Sequence, residues 1–190
     1  MTEQNQPVGF ANVSIQQLNL SYSHEQDRLL FRIGLCDDSE LQVWLTYRVT
    51  RKIWQLLVGK TPLASANPSQ QDATPQQALQ RFQREAETIE ALGKMDFTSE
   101  YQPRGKVKND GPMLAVKASL NDANPDVPIL DLVCQEGMTV NMNLNKEMVL
   151  AICNMLQRTA KEAGWSVGAP GQEPASMRIA EGAEIKKVLH

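Results

Sequence analysis

Apolar and polar residues alternate along the front of the chain with a period of two, the spacing of a half-buried β-strand. Residues 13–22, 29–35 and 41–45 each follow this pattern. Short polar stretches, rich in Ser, Asp and Glu, separate the three segments. Such stretches are typical of turns between neighbouring strands, so the pattern predicts an antiparallel hairpin extended by a third strand.

The period then changes to that of an amphipathic helix. Thr46 is a suitable N-cap, and Gly59 is expected to end the helix in a left-handed conformation. The apolar positions between them share one face, at Val49, Ile53, Leu56 and Leu57. The front of the chain therefore predicts strands followed by one helix packed on them.

The rear of the chain repeats this arrangement at an offset of 99 positions. Strands are predicted at 113–120, 127–134 and 138–144, and a helix capped by Asn145 ends at Gly164. Thr46 then corresponds to Asn145, and Ile53 to Ile152. The correspondence indicates either a true duplication or two units of similar topology, and the sequence leaves both interpretations open.

A small, polar loop at 61–73 leads to a further helix, which Thr74 caps and Gly93 ends. We divide the chain into a first unit at 10–60, a linker with this helix (74–92) at 61–111, a second unit at 112–165 and a tail, 166–190, with a possible edge strand. The predicted fold class is α+β: two similar strand–strand(–strand)–helix units forming antiparallel sheets with helices on one face, plus an inserted middle helix. Units of about 60 residues bury little surface alone, so we expect one compact pseudo-dimeric domain.

Composition narrows the class of protein. Hydrophobic residues make up 42% and charged residues 22%, and the net charge is −3, an ordinary globular balance that does not favour a general nucleic-acid binder. The start of the chain lacks a signal-peptide pattern, and no apolar run approaches the roughly 20 residues of a membrane span. Three scattered cysteines and two histidines match no metal-binding spacing. We expect a cytoplasmic protein with reduced thiols, no metal, no cofactor and no membrane association.

Familiar catalytic patterns are absent from the sequence. Gly59-Lys60-Thr61 resembles the end of a phosphate-binding loop, but it ends a helix where such a loop must begin one. His24 lies among acidic residues in a polar turn, and the aspartate pairs at 37–38 and at 122 and 126 are typical of turns. No residue signals a buried carboxylate with a perturbed pKa.

The start of the first helix opposes the usual charge preference. Arg48, Arg51 and Lys52 follow the strand residue Trp44 and the aromatic Tyr47, and no acidic residue occurs up to Val58. Cations in a first turn oppose the helix dipole by about 0.3–1 kcal/mol each. We predict a binding site here, which Arg104, Lys106 and Lys108 would extend as a secondary basic patch. The alternative is that acidic residues neutralise the helix cations; the candidates are Asp37, Asp38, Glu40, Glu85, Glu87 and Glu90.

These features predict a non-enzymatic, bacterial-type binding or adaptor protein, acting on a protein partner or anionic ligand through its sheet or the basic helix start. A homo-oligomer is compatible with them. An arrangement of strands followed by one helix, repeated twice in one chain, is similar in topology to that of single-stranded nucleic-acid-binding proteins of the PUR and Whirly kind. That resemblance implies single-stranded nucleic-acid binding as the alternative function, although the basic and aromatic richness of those proteins is missing. A small enzyme without a recognisable motif is the third possibility.

Overall fold

A computed structural model describes residues 14–61, 75–95, 100–124 and 126–167. The predicted start of the first strand at Val13, the loop at 62–73, the Thr74 cap and the strand predicted in the tail lie outside the described residues. The described elements, in chain order, are β1 (Ile15–Ser23), β2 (Arg28–Leu35), β3 (Ser39–Leu45), α1 (Tyr47–Val58), α2 (Pro75–Gly93), β4 (Lys106–Val107), β5 (Met113–Asn121), β6 (Ile129–Cys134), β7 (Thr139–Asn143) and α3 (Lys146–Glu162).

The two predicted units have the same internal register. In the first unit Phe31 of β2 lies opposite Val43 of β3. In the second unit Leu130 of β6 lies opposite Met142 of β7, and each of these residues comes 99 positions after its counterpart. All four side chains are buried. The predicted α+β class is confirmed, and the two predicted strand–strand–strand–helix units agree in part with the structure.

One parallel strand pair joins the units into a single seven-stranded sheet of order β1-β2-β3-β5-β6-β7, with β4 beside the start of β3. Val43, Trp44 and Leu45 of β3 pair with residues 113–115 of β5. Pairs within each unit are antiparallel, as predicted, whereas this junction and the parallel pairing of β4 with β3 make the complete sheet a mixed one. The two units therefore share one sheet.

The helices α1 and α3 pack on one face of that sheet and on each other. Each packs against the first strand of the opposite unit, α1 on β5 and α3 on β1. Ile53 and Ile152 are both buried in a single hydrophobic core. The Thr159 hydroxyl of α3 also donates a hydrogen bond of 3.4 Å to the Leu20 carbonyl oxygen of β1. The shared interior explains why neither unit needs to be stable alone.

Two details differ from the expectations. Gly59 has φ −64° and ψ −15°, so it continues the right-handed backbone of α1 and does not adopt the expected left-handed conformation. The inserted helix α2 is confirmed, but Leu79, Phe82 and Ile89 on its apolar side are exposed. The main contacts of the described part of α2 are with α3, and these three exposed side chains lie outside the core.

Candidate binding groove

The basic start of α1 is fixed by the cap that the sequence predicts. Thr46 is extended (φ −74°, ψ 162°), and its hydroxyl oxygen accepts a hydrogen bond of 3.4 Å from the Val49 N–H. The apolar face of the helix enters the core at Val49, Ile53 and Leu57. This orientation leaves Arg48 and Lys52 exposed and Arg51 half-buried.

A groove of about 500 Å³ runs between α1 and β5. Its cationic members are Arg48, Arg51 and Lys52 of the helix and Lys117 of the strand. The remaining lining is neutral: Tyr47, Val49, Gln55, Val116 and Ala118. Four cations without an acidic residue among them produce a concentrated positive potential at this surface.

Three of the carboxylates that the sequence offers as neutralising partners for the α1 cations pair with other residues. Asp37 pairs with Lys108 at 2.9 Å, and Asp38 pairs with Arg104 at 3.6 Å. In α2, Glu90 pairs with Lys94 at 2.8 Å. Glu87 forms no ion pair with a described residue, and the side chain of Glu85 is not among those that the structure describes. Within the described ranges, no carboxylate forms an ion pair with any of the four groove cations.

Tyr47 has a packing role at the end of the groove. Its ring lies 5.5 Å from the ring of Trp165, centroid to centroid, and its hydroxyl donates a hydrogen bond of 2.7 Å to the Ser166 carbonyl oxygen. Tyr22 also contacts Trp165, with ring centroids 5.9 Å apart and the rings edge to face. Tyr47 therefore connects the start of α1 to the segment after α3, and its ring is 38% exposed.

The structure does not bring Trp44 to the groove. Trp44 pairs in register with Leu30 and Leu114, and it alternates with the buried residues Val43 and Leu45. Because successive side chains of a strand point to opposite faces, Trp44 lies on the face away from α1 and α3.

The secondary basic patch also lies apart from the groove. Lys106 is in β4, which pairs with the first two residues of β3, whereas α1 begins after the last residue of β3. A seven-residue strand is roughly 20 Å long, so about this length separates the two regions. Arg104 and Lys108 are held in ion pairs with the turn before β3. Lys106 is exposed at this opposite end of the strand.

Three residues of β5, which the sequence did not assign to the site, line the groove: Val116, Lys117 and Ala118. Lys117 and Val116 are exposed, and they lie next to a register shift between Ala115 and Lys117 where β5 pairs with β6. Their distance along the chain from Arg48 gives no local clue to their proximity. Lys117 is a charged residue between the apolar residues Val116 and Ala118, which was the only indication in the sequence that it avoids the core.

A second unpredicted feature is a buried carboxylate, at Glu40. Its side chain is 2% exposed and accepts hydrogen bonds from the Tyr101 hydroxyl at 2.5 Å, Gln42 Nε2 at 2.6 Å and the Arg104 N–H at 3.4 Å. Burial alone would raise the pKa of Glu40, but these hydrogen bonds and the charge of Arg32 lower it below its ordinary value. A carboxylate stabilised in its ionised form ties the Tyr101 segment to the sheet.

The same cluster contains cations in close contact with an aromatic ring. The Arg32 guanidinium lies 5.7 Å from the centre of the Tyr101 ring. Burial, followed by the hydrogen bond to the Glu40 carboxylate, raises the pKa of Tyr101 strongly. The Nε atoms of Arg32 and Arg104 are buried without a hydrogen-bond partner. The cluster therefore places charged and aromatic groups where the connection between the two units meets the sheet.

The groove cations have no counterparts in the second unit. At the offset of 99 positions, Arg48 corresponds to Glu147, Arg51 to Leu150 and Lys52 to Ala151. Glu147 lies in the first turn of α3, where an acidic residue is favourable. The positive potential is therefore specific to the α1 side.

In the part of the chain that the structure describes, no group of three or more His, Cys, Asp or Glu side chains is arranged to hold a metal ion. The described helices include none that is long and apolar enough to cross a membrane. Comparisons with protein families, characterised proteins and solved structures find no significant match to this chain. The geometry and charges of the groove are therefore the basis of the proposed function.

Proposed function

We propose that this protein is a non-enzymatic binding or adaptor protein that holds an anionic partner in the groove between α1 and β5. One observation carries the proposal: Arg48, Arg51, Lys52 and Lys117 converge on one surface and lack ion pairs with described residues. Arg48 opposes the α1 dipole from the first turn, and Arg48 and Lys52 are like charges at i,i+4, so the clustering is costly for the isolated protein. An anionic partner would offset that cost, which makes binding the best-supported reason for the arrangement.

A catalytic role receives less support from the ionisable groups. Glu40 accepts three hydrogen bonds, and its lowered pKa makes it a poor general base near neutral pH. Burial raises the pKa of the Cys134 thiol to about 11 and that of Cys153 to about 12, so neither is a nucleophile in the folded state. These environments favour structural roles for all three side chains.

The proposal is tested with simple polyanions. Fluorescently labelled poly-glutamate and oligothymidylate of similar charge are titrated with the protein at low and at physiological ionic strength. We expect poly-glutamate to bind, and the affinity to fall steeply as salt is added because the contacts are exposed charges. Arg48→Glu combined with Lys52→Glu should weaken binding at least about tenfold. Both side chains are exposed, so this variant should fold.

The matched control is Lys106→Glu combined with Lys146→Glu, which gives the same net charge from exposed sites that do not line the groove. It should retain most of the affinity. Absence of binding to both polyanions at low salt would overturn the proposal, as would equal losses in the two double variants. Binding of oligothymidylate alone would identify the chain as a single-stranded nucleic-acid-binding protein instead.

A further inference from the structure

The side of β5 that faces the groove is an unpaired strand edge. Residue pairing between β3 and β5 stops at Ala115 because the chain leaves β3 after Leu45 to form α1. Beyond this point β5 continues to Asn121 and pairs on its other side with β6. Within the described residues, no strand pairs with the groove side of β5 from Val116 onward.

An unpaired edge offers backbone N–H and C=O groups to a further strand. The portion of β5 without a second strand partner covers residues 116–121, which is long enough to pair with an extended segment of about five or six residues. The helix α1 packs against β5, and Lys60 pairs with Asp122 just beyond the end of this portion. Adding a strand to such an edge is a common way to bind a peptide, because main-chain hydrogen bonds supply affinity and side-chain contacts supply specificity.

The surroundings of this edge define the chemistry of the peptide. The four groove cations favour acidic side chains on the partner, while Val116 and Tyr47, which are 40% and 38% exposed, offer apolar contact area. The Nε atom of Arg51 is inaccessible to solvent and has no hydrogen-bond partner. Within one extended segment, acidic residues alternating with apolar ones would offer carboxylates to the cations and apolar side chains to Val116 and Tyr47.

We infer that the groove binds an acidic, extended peptide as an added strand on β5, an inference that rests on the proposed anionic partner and narrows it to one class. The groove is less suited to a single nucleic-acid strand, for which stacking on free aromatic rings is the usual source of affinity. The Tyr47 ring packs on Trp165, and Trp44 lies on the opposite face of the sheet. Backbone amides along a strand edge are complementary to a peptide.

The test uses a labelled peptide of alternating aspartate and valine, about eight residues long so that it spans the free edge. Two further versions carry N-methyl groups, one on every aspartate nitrogen and the other on every valine nitrogen. Only one edge of an added strand pairs with β5, and its other edge faces away from the strand. One N-methylated version should therefore bind at least about tenfold more weakly than the other, because it loses several backbone hydrogen bonds.

Lys117→Glu should weaken binding of the unmodified peptide severalfold, whereas Lys106→Glu, the same change on an exposed strand residue outside the groove, should not. Equal affinities of the two N-methylated peptides would overturn strand addition. If poly-glutamate still depended on Arg48 and Lys52 in that case, the anionic-partner proposal would stand. If the α1 double variant also left poly-glutamate binding unchanged, both proposals would be wrong.

Discussion

The Tyr101 hydroxyl donates a 2.5 Å hydrogen bond to the Glu40 carboxylate, which is one of the most deeply buried charges of the described structure. This contact joins the connection between the two units to the start of β3. A second link lies nearby, where Asn109 exchanges hydrogen bonds with the Gln42 backbone at 3.3 and 3.1 Å. The irregular segment before β5 is thereby fixed to the sheet next to the β3–β5 junction.

Removing the hydroxyl by Tyr101→Phe should destabilise the protein, because it leaves the buried Glu40 carboxylate with one donor fewer. Hydrogen bonds to charged groups contribute about 1.5–3 kcal/mol, which is the expected loss in the free energy of unfolding. Urea denaturation followed by circular dichroism measures it. Tyr22→Phe is the matched control, because its hydroxyl donates to Asp27 in an exposed turn at 2.8 Å. A loss at Tyr101 no larger than at Tyr22 would contradict the structural role of Glu40.

The protein should also become less stable in acid, because two carboxylates at this end of the sheet, Asp37 and Glu40, are stabilised in their ionised forms. Hydrogen bonds from Lys108 and then Ser39 lower the pKa of Asp37 to about 2, and that of Glu40 is lowered as well. A folded-state pKa below the unfolded value stabilises the protein above the unfolded pKa, which is about 4, and this contribution disappears as the pH falls through the folded value.

The midpoint of urea unfolding should accordingly decrease between about pH 4 and pH 2. Asp37→Asn should make this decrease shallower, because one of the groups with a lowered pKa no longer titrates. Asp110→Asn serves as the control, since no described residue forms an ion pair with this carboxylate. Identical pH profiles for wild type and Asp37→Asn would show that the Lys108 contact does not stabilise the ionised form.

The helix caps of the two units provide a direct test of their equivalence. Thr46 accepts from the Val49 N–H at 3.4 Å, and Asn145 accepts from the Met148 N–H at 2.8 Å. Replacing an N-cap by alanine typically costs about 0.5–2 kcal/mol. We expect Asn145→Ala to lie near the upper end and Thr46→Ala near the lower end, because the shorter bond is the stronger one. Thermal unfolding of both variants measures this, and a smaller loss for Asn145→Ala would contradict the expected order.

How far the sequence predicts this fold depends on the range of the interactions involved. Both caps, all three helices and the long strands follow from local periodicity and N-cap chemistry, which act over a few residues. The parallel pairing of β3 with β5 depends on which strand edges meet in space, and no local pattern encodes that choice. Gly59 was assigned a left-handed conformation from its residue type, but glycine permits this conformation without requiring it.

The same distinction between local and long-range interactions applies to the residues of the candidate site. Arg48, Arg51 and Lys52 are predictable because adjacent cations at a helix start contradict a local charge preference. Lys117 and the buried Glu40 are not, because each depends on a segment that is distant in sequence. Trp44 was grouped with the cations on sequence proximity alone, and strand alternation places it on the other face.

The three thiols should differ in reactivity according to their burial. Cys36 is exposed, whereas Cys134 and Cys153 are buried, and burial raises their pKa values to about 11 and about 12. A thiol-specific reagent at neutral pH should therefore modify Cys36 quickly, and Cys134 and Cys153 only after unfolding. Cys36→Ser should remove the fast phase. Rapid modification of more than one thiol in the native protein would contradict the described core.

Stability and binding should respond in opposite directions at the start of α1. Arg48→Glu replaces a cation in the first turn with an anion, which favours the helix dipole and relieves repulsion from Arg51 and Lys52. We expect the free energy of unfolding to rise by about 0.3–1 kcal/mol while poly-glutamate affinity falls. The reciprocal variant Glu147→Arg, at the corresponding position of α3, should lose stability without changing affinity. If Arg48→Glu lowered both properties, Arg48 would be serving the fold, and the positive groove would no longer need a partner to explain it.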